Sequence, residues 1–384
     1  MPIDFFEGVP LVDHHVHGVM NSPLDADGVL AIMSESSRPP PPGTTNFMKP
    51  VGLAVRRDCA PVLDLPSLAS GQAYLDRRHE LGHDEVNARL LTQSGVAAWL
   101  VDTGNRSDAV EQPDGMERIS GAMAREVIRI ELVIEEQAQH ATSGADLMAR
   151  VRDRLTAATK TIVGFKSIAA YRVSFKIDQT PIDDATAEAA ADRWLMTLKN
   201  GETNRLDDVD VIRFGLWTAG DLARTHKLPI QLHVGVGDDD VYMHACDPTH
   251  FTDFVKAMDA WDVPITLLHC FPFVRESCWM AEVFRNVYFD VGFTVNFTGP
   301  QGATAIREAL EMSPFYKFLY SSDAFGLPEL HYLGAVLFKR EFNALMTQWV
   351  ETGWATEDDA YEIARMVGYE NAARIYPGLE GLAT

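Results

Sequence analysis

Eight short runs rich in β-branched and aromatic residues recur along this chain, near residues 10–17, 96–103, 126–134, 161–169, 228–235, 264–270, 286–293 and 317–323. Stretches with helical periodicity separate them, at 24–35, 66–92, 107–124, 139–157, 184–199 with 207–226, 248–260, 275–284 and 302–313. Strands that alternate with helices pair in parallel through right-handed crossovers, and eight such units close into a barrel rather than an open sheet. Between the first two runs lie the proline-rich SSRPPPPGTTNFMKP and the charged AYLDRRHELGHDEVNARLL, a surface loop and a helix. After the last run, 329–351, 356–367 and 369–375 read as helices. The expectation is one α/β domain over residues 1–384: a distorted (β/α)8 barrel with a helical insertion at 37–92 and C-terminal helices.

Six side chains able to bind a divalent metal sit where these strands end. They are His15 and His17 in LVDHHVH, Lys166 in IVGFKSIAAYR, His233 in LPIQLHVG, His269 in PITLLHC and Asp323 in FLYSSDAFG. Successive strand residues point to opposite faces, so His15 and His17 share a face and His14 should face outward. Any one of these histidines alone is as readily a core residue bonded to a carbonyl. Their joint placement at barrel-strand ends, where active sites form, favours a metal. Asp323 has an alternative as a helix N-cap, which the intervening FGLPE weakens. His244, His250 and His331 are weaker candidates, in loops or helices.

Lys166 has two readings. One is an ion pair with Glu131, placed on the neighbouring strand and pointing inward. The other is an amine of lowered pKa, carboxylated by carbon dioxide to a carbamate that bridges two metals. Arg172 and Arg129 are the natural carboxylate clamps at this end of the barrel, with Tyr171 and Glu131 as groups for an amine or hydroxyl. An inter-strand ion pair or a packed phenol is the plainer alternative for each.

With 33 basic against 55 acidic residues the net charge is −22, which disfavours nucleic acid and anionic membrane as partners and leaves a small-molecule substrate. The four cysteines, Cys59, Cys246, Cys270 and Cys278, form no CxxC pair, so neither a disulfide framework nor a zinc ribbon is expected. No secretory leader and no apolar run long enough for a membrane span is evident, and a cytoplasmic location is expected. Gly235-Val236-Gly237 lacks the third glycine of a dinucleotide loop, and Asp238-Asp239-Asp240 would repel a pyrophosphate.

Taken in order, these ligands resemble those of the amidohydrolase superfamily, metal-dependent hydrolases on a distorted TIM barrel. GFKSIAAYR, LLHCFPF, YSSDAFGLPELHYLGA and NAARIYPG narrow the resemblance to the amidohydrolase-related branch, which includes domains fused to glutamine synthetase-like proteins. The resemblance implies one or two ions per chain, zinc first, with manganese or iron as alternatives. In a binuclear form His15, His17, carboxylated Lys166 and Asp323 hold one ion, and Lys166, His233 and His269 the other. In a mononuclear form His15, His17, His233 and Asp323 bind the ion and His269 polarises the substrate. The implied reaction is hydrolysis of a C–N bond, with Asp323 carrying the proton. The alternatives are a one-metal decarboxylase or isomerase acting on a small organic acid, and a catalytically silent regulatory barrel. The insertion at 37–92 is expected to cover the mouth or to meet a second copy, which suggests a homodimer.

Overall fold

The computed structural model describes residues 3–239 and 241–382, so Asp240 lies outside the described residues. Seven parallel strands follow one another in sequence order: β1 (Leu11–Val16), β2 (Val96–Asp102), β3 (Met123–Arg129), β4 (Gly164–Ser167), β5 (Ile230–His233), β6 (Ile265–Leu268) and β7 (Val287–Phe289). The eighth run, at 317–323, is a correction: it forms no regular strand. Lys317 ends a 3-10 turn, and Asp323 takes a left-handed φ of 49°, which breaks a ladder. The segment nonetheless lies between β7 and β1. Leu319 N donates to Phe289 O at 2.9 Å, His14 N to Tyr320 O at 3.2 Å and Asp323 N to His15 O at 3.1 Å. These bonds close the ring and make the architecture an α/β, TIM-type barrel.

Two other expectations change. The run at 126–134 is strand only as far as Arg129, and Ile130–Ala138 is helix. Ile130, Val133 and Ile134 are buried at i, i+3 and i+4, a helical stripe that a β-rich composition had disguised. Glu131 therefore stands in the first turn of a helix and not on a strand. Its Oε1 accepts from Ser167 Oγ at 2.6 Å and Ile168 N at 3.1 Å, so Lys166 is not its partner. In β1, Asp13 pairs with Trp99 and Val16 with Val101, so three steps of β1 answer two of β2. That extra residue is a bulge, and it turns both His14 and His15 into the barrel; His14 does not face outward.

Helices cover the outside of the ring. In the insertion, Ser70 caps Gly71–Leu81 by accepting from Ala73 N, and a second helix runs His83–Gln93. The first docks on the long helix Pro328–Glu351 through a buried ion pair, Arg78 Nε to Glu329 Oε1 at 2.7 Å, to which Tyr74 Oη adds a hydrogen bond at 3.0 Å. Inside the ring lies a separate apolar cluster in which Val12, Leu100, Val127 and Leu319 meet Ile375, Tyr376 and Leu379 from the C-terminal segment. That segment plugs the floor and leaves the strand ends as the open side. Among the described residues, no helix is long and apolar enough to cross a membrane.

Candidate metal centre

His15, His17 and Asp323 each offer a ligand atom, and these atoms lie within 4.8 Å of one another. His15 Nε2 is 3.2 Å and His17 Nε2 3.7 Å from Asp323 Oδ1, while Lys166 Nζ is 3.3 Å from His15 Nε2. His269 Nδ1 stands 3.1 Å from Asp323 Oδ2 without hydrogen-bonding geometry. The His233 ring lies 4.7 Å from that of His269, and its Nε2 is buried with no hydrogen-bond partner. All six predicted ligands thus come together, from the ends of four strands (β1, β4, β5 and β6) and the closing segment.

Each first-strand histidine has its other nitrogen occupied. His15 Nδ1 is 2.8 Å from Gln231 Oε1 and His17 Nδ1 is 3.1 Å from the Asp102 carbonyl oxygen. Both acceptors draw the ring proton to Nδ1 and leave the Nε2 lone pair facing the cluster, the arrangement that metal-binding histidines require. Burial and the Lys166 ammonium hold His15 and His233 well below the usual imidazole range; burial and the neighbouring His233 do the same for His269. Burial brings His17 to about 4. Neutral imidazole is the ligating form. Burial also pushes the Asp323 carboxyl well above its usual range. Lone pairs converging on one another, with a carboxylate short of positive charge, are what a divalent cation would satisfy. The donor set fits such an ion.

Backbone strain coincides with the site. His269 and Asp323 have φ of 67° and 49°, left-handed values that a residue with a Cβ adopts at a cost of roughly 1–3 kcal/mol. Packing and hydrogen bonds hold them there: Asp290 Oδ1 accepts from His269 N at 3.0 Å, and His15 O from Asp323 N.

A cavity of about 470 Å³ opens above the ligands, a volume suited to a small molecule. Arg129, Tyr171 and Arg172 line it; Glu131 does not. Arg129 places Nη2 at 2.7 Å and Nε at 3.2 Å from Asp102 Oδ2, and Arg172 Nη2 is 3.1 Å from Glu135 Oε1. The tendency of burial to raise the Asp102 carboxyl is outweighed by Arg129, His17 and Lys166, which hold it at about 2. The Tyr171 ring lies tilted over His233 with ring centroids 4.0 Å apart, and a Cβ at Gly237 would overlap the Tyr171 ring. Gly237 thus serves close packing.

Sequence reasoning missed Glu35, Arg106, Arg205 and Asp238, which line the same cavity. They come from loops, where no periodicity betrays orientation. Gln231 was also missed, although its i, i+2 relation to His233 places both on one strand face. His331 is no ligand: its two ring nitrogens lie 2.9 Å from Leu327 O and 2.8 Å from His17 O.

Comparison with known proteins bears on the family and the fold. A family model described as amidohydrolase matches residues 105–378. Over 96% of its length the chain is 24% identical to protein fluG of Emericella nidulans, and it spans only 45% of that relative. A Lactobacillus casei crystal structure assigned to the metal-dependent hydrolases superposes with a TM-score of 0.84 at 25% identity, covering 97% of this chain and 96% of the other. Uronate isomerase of Thermotoga maritima shares the fold, with a TM-score of 0.66 at 14% identity over 97% of this chain and 96% of that one.

Proposed function

The chain belongs to the amidohydrolase family, and from that premise we propose that it is a metal-dependent hydrolase cleaving an amide-type C–N bond of a small, carboxylate-bearing substrate. The observation that carries this reading is the convergence of His15, His17 and Asp323 donor atoms within 4.8 Å at the floor of a cavity. His15, His17, Lys166 and Asp323 would hold one ion and Lys166, His233 and His269 a second. Zinc suits this mixture of imidazole and carboxylate, with manganese and iron close behind. Bound there, the metal supplies a Lewis acid for the substrate carbonyl and an acidified water.

The protein groups do the rest. Asp323, within 3.2 Å of His15 Nε2 and facing the cavity, takes the proton of the attacking water as the water oxygen bonds to the carbonyl carbon. It then delivers that proton to the leaving nitrogen as the C–N bond breaks. Burial brings the Lys166 amine down to about 8, despite the opposing pull of Asp102. About a tenth is then uncharged at pH 7 and able to add carbon dioxide, forming a carbamate with loss of a proton. Arg129 and Arg172, already oriented by Asp102 and Glu135, face the cavity as clamps for a substrate carboxylate. Tyr171 walls the pocket over His233.

The test is metal analysis of the freshly purified protein followed by a screen of amides with and without a carboxylate, reading the amine and acid released. One or two ions per chain and amine release from carboxylated amides are expected. An aldose–ketose interconversion of a sugar acid without amine release would move the assignment to the isomerase alternative. A protein that takes up neither zinc nor manganese would end the metal reading.

A further inference from the structure

Beneath the ligands, a continuous line of buried side chains leads from His15 to the C-terminal segment. Gln231 Nε2 lies 2.7 Å from His14 O and 2.9 Å from Tyr376 Oη, and Gln231 Oε1 lies 2.8 Å from His15 Nδ1. A backbone carbonyl only accepts, so the atom facing His14 O must be the amide nitrogen. The Gln231 amide therefore has one allowed orientation, in which its oxygen accepts from His15 Nδ1–H. Beyond it, Tyr376 Oη is 2.9 Å from His14 Nδ1, and His14 Nε2 is 2.9 Å from Asp290 Oδ2. The Asp290 carboxylate also only accepts, so His14 carries a proton on Nε2, and in the neutral ring its Nδ1 receives the Tyr376 hydroxyl proton. Every bond then points the same way: His15 donates to Gln231, Gln231 to Tyr376, Tyr376 to His14 and His14 to Asp290. These five side chains are at most 1% exposed, so water does not compete for any of these bonds.

We propose that Gln231 and Tyr376 are positioning residues for His15, and that the C-terminal segment, by seating the Tyr376 hydroxyl under the barrel, holds His15 in the tautomer that presents Nε2 to a divalent cation. This rests on the reading of His15 as a metal ligand. It adds that metal affinity depends on a residue 361 positions away in sequence and on the opposite side of the ligand layer from the cavity. It also makes the dependence reciprocal: whatever loosens the floor weakens the ion, and the ion tightens the floor by the same factor. Without Tyr376 Oη, one Gln231 amide proton loses its acceptor and the amide is less firmly held; without Gln231, His15 Nδ1–H has no partner and the ring can carry its proton on Nε2 instead.

Zn²⁺ affinity of the metal-free protein, measured by competition with a chromophoric chelator, tests this on wild type, Tyr376→Phe, Gln231→Leu and the double variant. Outer partners of ligating histidines typically govern 10- to 100-fold in affinity, and a loss of that size is expected in each single variant. The double variant should be no weaker than Gln231→Leu, because the two residues act along one path. Thr266→Val is the control: Thr266 Oγ1 is 3.4 Å from Tyr376 Oη but off the path, so its removal should lower stability without changing Zn²⁺ affinity. Nitrogen-15 NMR of the metal-free wild type should show His15 protonated at Nδ1. Wild-type affinity in both Tyr376→Phe and Gln231→Leu, or a His15 protonated at Nε2 in the wild type, overturns the proposal while leaving the metal reading intact. A wild type that binds no Zn²⁺ overturns both.

Discussion

Two buried polar clusters in this protein look alike in composition and differ in what they lack. Where the insertion docks on Pro328–Glu351, Arg78 and Tyr74 both donate to Glu329 Oε1, and a cation meets an anion. At the barrel rim, four imidazoles and a carboxylate crowd together, and His233 Nε2 has no hydrogen-bond partner. The first cluster pairs its charges, although Glu329 Oε2 has no hydrogen-bond partner, and it serves to hold two helices together. The second holds the Lys166 amine 3.3 Å from His15 Nε2 yet leaves His233 Nε2 and His269 Nδ1 without partners, atoms that a divalent cation would satisfy. Burial alone does not mark a functional site; a buried set of donors that cannot satisfy one another does.

The largest effect should come from breaking the incomplete cluster. Asp323→Asn keeps the shape but removes the proton carrier and an anionic ligand, and is expected to lower turnover by about 10³-fold or more while the circular-dichroism melt stays within a few degrees of wild type. A melt lowered as far as by a core cavity would instead give Asp323 a structural role. Breaking the ion-paired cluster should do the reverse. Arg78→Met leaves Glu329 buried without its cation and should cost about 3–5 kcal/mol in urea unfolding, with the turnover of the remaining folded enzyme close to wild type. Equal losses of turnover and stability in both variants would erase the contrast.

The smallest effect sharpens it at the boundary, where Arg129 and Asp102 join cavity and core. Asp102 is held at about 2, below the ordinary carboxylate value of 3.8. A depressed carboxyl contributes stability that is present above pH 3.8 and is lost as the pH falls toward 2, about 2 kcal/mol for a shift of this size. Acid unfolding of wild type should therefore steepen between pH 4 and 2, and Arg129→Met should flatten that part of the profile. Parallel profiles for the two proteins would mean that Arg129 is not what holds Asp102 down.

Legibility followed the length scale of the cause. The alternation of strand and helix, and the placing of His15, His17, Lys166, His233 and His269 at strand ends, could be read because periodicity and chain order are local properties; Asp323 reaches the same rim without a strand. Glu131 was misread because IELVIEEQA is rich enough in β-branched residues to pass for a strand, and only packing showed its helical stripe. Arg129 and Arg172 could be named from the sequence, but not that Asp102 and Glu135 hold them.

By itself, then, the chain determined that eight units would wind into a ring and which side chains would stand at its open end, since hydrophobic pattern and strand parity need no partner to be specified. Only the tertiary structure decided that a one-residue bulge turns His14 inward beside His15, that residues 317–323 close the ring without forming a strand, and that Tyr376 reaches up through the floor to the Gln231 amide. Those outcomes depend on register and on contacts across hundreds of residues, where the free energy of fitting one segment against another exceeds any local preference.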